Sequence, residues 1–461
     1  MALRATIDTD PTTADEILSV PGPAVQDTVR RLAGAASGGF ALNIFNTGAT
    51  VLSTVLLARV MDLAAFGTYS WVVAVVALLT VPAILGIDRL LVRDIAVYLG
   101  RDAYGHVRGL LRRSAQIITV SCALIAAGVA LAVWLAGGTT DPVTVVALAL
   151  GILALPLLAY GRAAQSALMG IHQVVVSQLP DLLLRPAALL VMAGLVFAVG
   201  MRLDAAQATA LFTASTAASL VLAVFLFRRG MGTALRPARP TYESRRWLIA
   251  AFALVLLSGG QMINSQLGIV LLGVLDNPES AGLYAVAQRG AMLIAFPLMA
   301  AGAALAPAAA RLWTLGHVVQ LQRLVTVSAR AVLVVSLSIA LAFVVAGESL
   351  LELVFGPSFA GGSAALTVLS LGQVANAATG SVATVLVMTG NTWRAGLGIA
   401  AGTLLNLVMA PLLISAHHTV GAAIAASAAL LVSNLILVVM ARRTLGIDTT
   451  AIGLPPRAQA Q

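Results

Sequence analysis

The chain contains no lysine: all 27 basic residues among its 461 are arginine, and only 10% of residues are charged. Without lysine there is no GxxxxGK[ST] phosphate loop, so this chain does not hydrolyse ATP through that motif. The single cysteine, Cys122, excludes an internal disulfide framework and reads as a small apolar packing residue. Segments of about ten residues with alternating polarity are missing, which excludes a transmembrane barrel. Large polar loops are missing too. The longest stretch between apolar runs on the side poor in arginine is ESLLELVFGPSFAGG, whose Glu348 and Glu352 read as a solvated helix end, so no enzymatic constellation is expected. His417 and His418 are adjacent in a short turn, a poor arrangement for shared metal ligation. Residues 1–33 hold five acidic groups and no apolar core long enough for a signal peptide, and are expected to form a mostly disordered cytoplasmic tail.

What is present is apolar: 60% of residues are hydrophobic. The runs near 36–58, 66–90, 114–136, 143–163, 174–199, 205–227, 248–274, 280–306, 326–347, 364–388, 394–416 and 420–441 each supply the roughly 20 residues that span a bilayer as a helix. The expected fold is therefore an all-α polytopic membrane protein with twelve transmembrane helices. Arginine gives the orientation. Twenty-three lie in the tails and in the loops on one side, Arg59 and Arg202 on the other, and Arg185 and Arg289 inside spans. The positive-inside rule then puts both termini in the cytoplasm, so the basic balance reports topology and not nucleic-acid binding. The segment 92–113, VRDIAVYLGRDAYGHVRGLLRR, reads either as a helix lying along the inner surface or as a solvated loop.

A shift of 215 residues superposes FGTYSWVVAVVALLTVPAIL on a second copy, carrying Gly67 onto Gly282, Tyr69 onto Tyr284, Pro82 onto Pro297 and Asn46 onto Gln261. Two halves of six spans in the same order imply a parallel pseudo-two-fold repeat, with a substrate site between the halves. The expected divisions are a tail at 1–33, an N-lobe at 34–228, a linker at 229–247, a C-lobe at 248–442 and a C-terminal tail at 443–461. Pro82 and Pro297 are candidate hinges.

Polar residues inside the spans indicate what the space between the halves holds. Asn43, Asn46, Gln261, Asn264, Gln288, Gln373 and Asn376 lie on the repeat-related helices, where amides serve either as interhelical hydrogen bonds or as a site. Asp181 and Arg185 are four residues apart between Pro180 and Pro186, which makes them either a structural ion pair or a proton or cation site. Arg289 has no acidic residue within a turn of its own span, which makes it the better candidate for an anionic substrate.

The hairpin LLARVMDLAAFGTYSWVVAVVALLTVPAILGIDRLLVRDIA, at 56–96, resembles the first hairpin of Wzx-type polysaccharide or O-antigen flippases of the multidrug/oligosaccharidyl-lipid/polysaccharide exporter superfamily. Its LLAR, short turn, FGxY and LGxxxxxxR run carry the likeness. SAGLYAVAQR with Pro297 matches the corresponding second-half helix, and the resemblance covers about 34–442. It implies two six-helix lobes working by alternating access on an undecaprenyl-pyrophosphate-linked oligosaccharide in the bacterial inner membrane. It implies a cationic cavity formed by Arg289, Arg185 and Arg93, no cofactor, H+ or Na+ as candidate coupling ion at Asp181, and a polysaccharide polymerase as candidate partner. A cation-coupled drug exporter is the alternative, weakened because span 1 carries Asn43 and Asn46 where such exporters typically carry an acid. Fourteen-span lipid II flippases differ in span number.

Overall fold

A computed structural model describes residues 23–137, 141–231 and 239–454, with side chains left undescribed at 23–37, 245–246 and 248–258. The described residues form helices and their connections, without strands. In chain order they are α1 (Pro23–Val60), α2 (Leu63–Ile84), α3 (Ile87–Leu99), α4 (Tyr104–Leu135), α5 (Pro142–Gly170), α6 (Val174–Val199), α7 (Ala205–Met231), α8 (Ser244–Leu275), α9 (Pro278–Thr314), α10 (Val318–Phe355), α11 (Ser363–Thr379), α12 (Val382–Met388) and α13 (Thr392–Leu445).

Among the described residues ten helical segments are long and apolar enough to cross a membrane, and α8 adds an apolar stretch at Gly259–Leu275. The 54 residues of α13 would reach about 80 Å if straight, far beyond about 30 Å of hydrocarbon. His418 breaks it, with φ 49° and ψ −128°, so α13 supplies two passes and the described residues make twelve. Exposed apolar side chains such as Leu124, Trp134, Leu195 and Val345 cover the outside of the bundle. In water so much apolar surface would drive association, whereas lipid solvates it. This is a multi-pass membrane protein.

Several helices differ from their sequence-based limits. The second ends at Ile84 rather than near residue 90, because Leu85 (φ 50°) and Gly86 (φ 70°) take left-handed conformations that close the helix. Residues beyond them form α3, an amphipathic helix with Ile87, Leu90, Leu91, Ile95 and Tyr98 buried against the first half of the bundle. Residues 1–22 of the expected tail lie outside the described residues, and 23–33 are helical as the start of α1. At the other end, 446–454 fold back onto the bundle. Gln322 donates to the Asp448 carbonyl (2.7 Å) and accepts from its N–H (2.7 Å), while Arg442 pairs with the Asp448 carboxylate (2.9 Å).

The repeat is visible in how the halves meet. Asp62 caps α2 by accepting from the Ala65 N–H (2.7 Å), and Asn277, 215 residues later, caps α9 by accepting from the Ser280 N–H (2.8 Å). One turn further, Gly67 and Gly282 lie against each other. A Cβ on Gly282 would come within 3.1 Å of the Gly67 Cα, and a Cβ on Gly67 would come within 1.8 Å of the Pro278 carbonyl oxygen. This crossing sits on the side of the membrane opposite the start of α1 and the end of α13. It is sealed by Phe66 packing edge-on to Phe359 (centroids 5.4 Å) within a core that joins Leu57, Leu272, Tyr284 and Leu366 from both halves. Arg59, at the end of α1, donates to the Leu353 and Val354 carbonyls in the last turn of α10, a favourable place for a cation.

Gly67→Ala is expected to lower stability by about 2 kcal/mol or more, because backbone rather than a movable side chain occupies the space. Gly282→Ala meets only contacts of 3.1–3.2 Å and should cost much less. Thermal unfolding of the purified variants checks the order, and equal midpoints would contradict this packing.

Candidate functional site

Inside the seal, a cavity of about 310 Å³ lies between the halves, walled by α1, α2, α5, α6, α7, α8 and α9. Its polar lining includes Asn46, Tyr69, Arg162, Arg185, Gln266 and Arg289. Arg289 is about 16 Å along α9 from Pro278, half the thickness of the hydrocarbon. Its one polar contact among the described residues is from Nη1 to Met292 Sδ (3.6 Å), and no carboxylate lies within ion-pair distance. Arg162 has no hydrogen-bond or ion-pair partner among the described residues either.

Arg185 is held differently. Its Nη1 pairs with Asp181 Oδ1 (2.9 Å) one turn earlier on α6. Between them the helix widens into a π turn, Leu179–Leu184, closed by the Arg185 N–H donating to the Pro180 carbonyl. Pro186 explains the widening: it has no N–H to donate and its ring crowds the preceding turn, so the ladder slips to i→i+5 spacing. Ser219 on α7 adds a bond to the same Pro180 carbonyl (2.7 Å), pinning the turn. Arg185 therefore reaches the cavity from a fixed position with its carboxylate partner behind it. Three guanidiniums against one carboxylate leave two formal positive charges in the space.

A smaller cavity of about 70 Å³ shares Thr80, Arg162 and Met262 with the first and adds Asp88 and Gly259. It extends the space along α2 toward the end of α5. Arg162 is the residue that sequence reasoning missed. The apolar run 143–163 places Arg162 at the end of the fourth span, with the loop arginines, but α5 runs to Gly170 and holds Arg162 inside the helix. Its signal was available, since RAAQSALMG is compatible with helix throughout.

The second half contains a counterpart of about 400 Å³, walled by α8, α9, α11, α12 and α13. Gln261, Asn264, Gln288, Gln373 and Asn376 line it together with Tyr284, Ser427, Ser433 and Asn434, and no charged residue does. The predicted amides thus divide: Asn46 faces the arginine cavity, five face the neutral one. Asn43 faces neither and donates to the Gly39 carbonyl (2.8 Å) on its own helix. Arg93 also lines neither. It lies on α3, half exposed, with Nε on the buried Asp94 carboxylate (2.7 Å). Pro82 falls in the last turn of α2, just before the left-handed Leu85, and Pro297 lies within the continuous helix α9. Among the described residues no cluster of His, Cys, Asp or Glu is arranged to hold a metal.

Known proteins place this architecture. The chain is similar in structure to an inward-facing multidrug resistance MATE family transporter of the MOP superfamily, with TM-score 0.70 at 12% identity over 88% of this chain and 97% of that one. It is similar to the lipid II flippase MurJ in an inward closed conformation, with TM-score 0.68 at 12% identity over 87% of both chains. A MOP superfamily transporter from Pyrococcus furiosus, described by a reversed polarity of its binding pocket, follows with TM-score 0.57 at 13% identity over 90% of this chain and 94% of that one. These three are transporters or flippases rather than enzymes, and at such identities they establish the fold. No curated protein sequence matches the chain. A family model described as polysaccharide biosynthesis protein matches residues 39–313. The chain shares the fold of these solved transporters, and because the family match spans more than half of the sequence, it belongs to the polysaccharide biosynthesis protein family.

Proposed function

We propose that this protein is a flippase that moves an undecaprenyl-pyrophosphate-linked oligosaccharide from the cytoplasmic to the periplasmic leaflet of the bacterial inner membrane, for surface polysaccharide assembly. The observation that carries the reading is the mid-membrane cavity lined by Arg162, Arg185 and Arg289, two of them without a carboxylate partner among the described residues. Guanidinium groups taken out of water need an anion, and a pyrophosphate offers several oxygens to planar, bidentate donors. The polyprenyl chain needs no such shelter, because lipid already solvates it. What the protein must carry through the bilayer is the charged, hydroxylated headgroup.

In this reading both termini are cytoplasmic, as the arginine bias indicates, and the cavity loads from that side while the Gly67–Gly282 crossing closes the periplasmic side. Transport proceeds by alternating access, with Pro82 and Pro297 as hinge positions on the two helices that cross. H+ or Na+ binding at Asp181 supplies coupling, and a polysaccharide polymerase receives the product. A cation-coupled multidrug exporter on the same fold is the second reading, favoured by the transporter likeness and opposed by the positive charge of the cavity.

In a strain deleted for this gene, lipid-linked intermediate is expected to accumulate on the cytoplasmic leaflet, and wild type should restore surface polysaccharide. Arg289→Ala should reduce flipping about 10- to 100-fold at normal expression, the size of one or two lost charge-assisted hydrogen bonds. Arg289→Lys should recover part, because charge returns without the planar fork. Normal polysaccharide in the deletion strain, with no other flippase expressed, would favour the exporter. Separately, Asp181→Asn should abolish the pH dependence of transport in proteoliposomes. Retained pH dependence would leave Asp181 as the structural partner of Arg185.

A further inference from the structure

The neutral cavity of the second half is left without a role by the arginine site. We propose that it is a carbohydrate subsite, binding uncharged, hydroxyl-rich sugar of the substrate, and that it is where this protein selects its glycan. The inference rests on the flippase reading and extends it from the pyrophosphate to the sugar.

The two cavities occupy repeat-related places with different chemistry. Asn46, Thr50 and Tyr69 line the first, and Gln261, Ser265 and Tyr284, each 215 residues later, line the second. The guanidiniums are confined to the first. The two share a wall, since α9 presents Arg289 to one cavity and the adjacent Gln288 to the other, and α8 likewise presents Gln266 and Asn264. An anion would find no cation in the second cavity. A neutral sugar would find a row of amides.

Those amides are pre-positioned. Asn434 Nδ2 donates to Asn376 Oδ1 (2.7 Å), and Asn376 Nδ2 donates to Gln373 Oε1 (3.1 Å). Asn406 Nδ2 holds Asn264 Oδ1 (2.6 Å), and Gln288 Nε2 donates to the Ser265 carbonyl (2.8 Å). Asn376 is satisfied at both ends, but three other amides keep one end without a protein partner among the described residues: the Gln373 and Asn264 N–H groups as donors, the Gln288 carbonyl as an acceptor. Gln261 has both ends unused among the described residues. Sugar hydroxyls donate and accept, so they match such a mixed set, whereas purely structural amides would be expected to satisfy one another. Leu369, Ala426, Leu430 and Tyr284 give the cavity an apolar wall for the C–H face of a ring. At about 400 Å³ it lies within the range of small-ligand sites, about 300–1,000 Å³.

The test compares two probes on purified full-length protein in nanodiscs: bare undecaprenyl pyrophosphate, and the lipid-linked intermediate isolated from the deletion strain. Wild type should bind the glycan-bearing probe at least about tenfold more tightly than the bare one. The double variant Gln373→Leu, Asn376→Leu should bind the bare probe as wild type does, which also shows that it is folded, and should lose the gain from the glycan. Arg289→Ala should weaken both probes. No gain from the glycan in wild type, or a gain that survives the double variant, overturns the subsite. If wild type binds neither probe or no intermediate accumulates, the flippase reading fails, and free glucose, galactose and N-acetylglucosamine become the probes. Saturable binding abolished by the double variant would then uphold a sugar site, and no binding would overturn it.

Discussion

The contact on which the rest depends is the crossing of α2 and α9 at Gly67 and Gly282. With no Cβ on either residue, two helices from different halves approach until one backbone nearly touches the other. Each then runs away from the crossing toward the side of the termini, and the divergence opens the space between the halves. Tyr69 and Arg289 take their places on the diverging helices. Because the glycines, the caps at Asp62 and Asn277 and the two tyrosines are related by one shift of 215, the crossing is where the repeat meets itself.

On that symmetric frame the charge is asymmetric. The first half contributes Arg162 and Arg185, the second contributes Arg289 across the divide, and the second half's own cavity holds only neutral polar groups. Under the proposed function the asymmetry has a physical sense. A headgroup with phosphate at one end and sugar at the other needs cations for the first and mixed donors and acceptors for the second, and a uniformly cationic space would not discriminate among glycans. The Arg185–Asp181 pair tempers the charge in one place, while Arg162 and Arg289 keep theirs without a carboxylate partner among the described residues.

Much of this was legible in the sequence, and the reasons differ by residue. Twelve passes could be read because hydrocarbon thickness sets a length that each apolar run satisfies. The repeat could be read because Gly67, Tyr69 and Pro82 recur at one offset as Gly282, Tyr284 and Pro297, and the crossing leaves no room for a Cβ at Gly67 and little at Gly282. Arg289 stood out because no acid lay within a turn. Arg162 did not, because Gly161 and the small and polar residues around it blurred the end of α5. The grouping of amides into two cavities could not be read from spacing: Gln288 and Arg289 are neighbours in sequence, about 100° apart around α9, yet line different cavities, and only the packing of other helices says what lies beside each. Arg93 illustrates the converse, since the turn at Leu85 and Gly86 sends it away from the bundle interior.

The central claim is that the space between the halves is an anion site for a lipid-borne diphosphate. Its most direct test is a titration of the wild-type protein in nanodiscs with undecaprenyl pyrophosphate and, separately, with the cationic dye ethidium. The account predicts saturable binding of the diphosphate, displaced by inorganic pyrophosphate, with no comparable binding of ethidium. Saturable binding of ethidium with none of the diphosphate would contradict it.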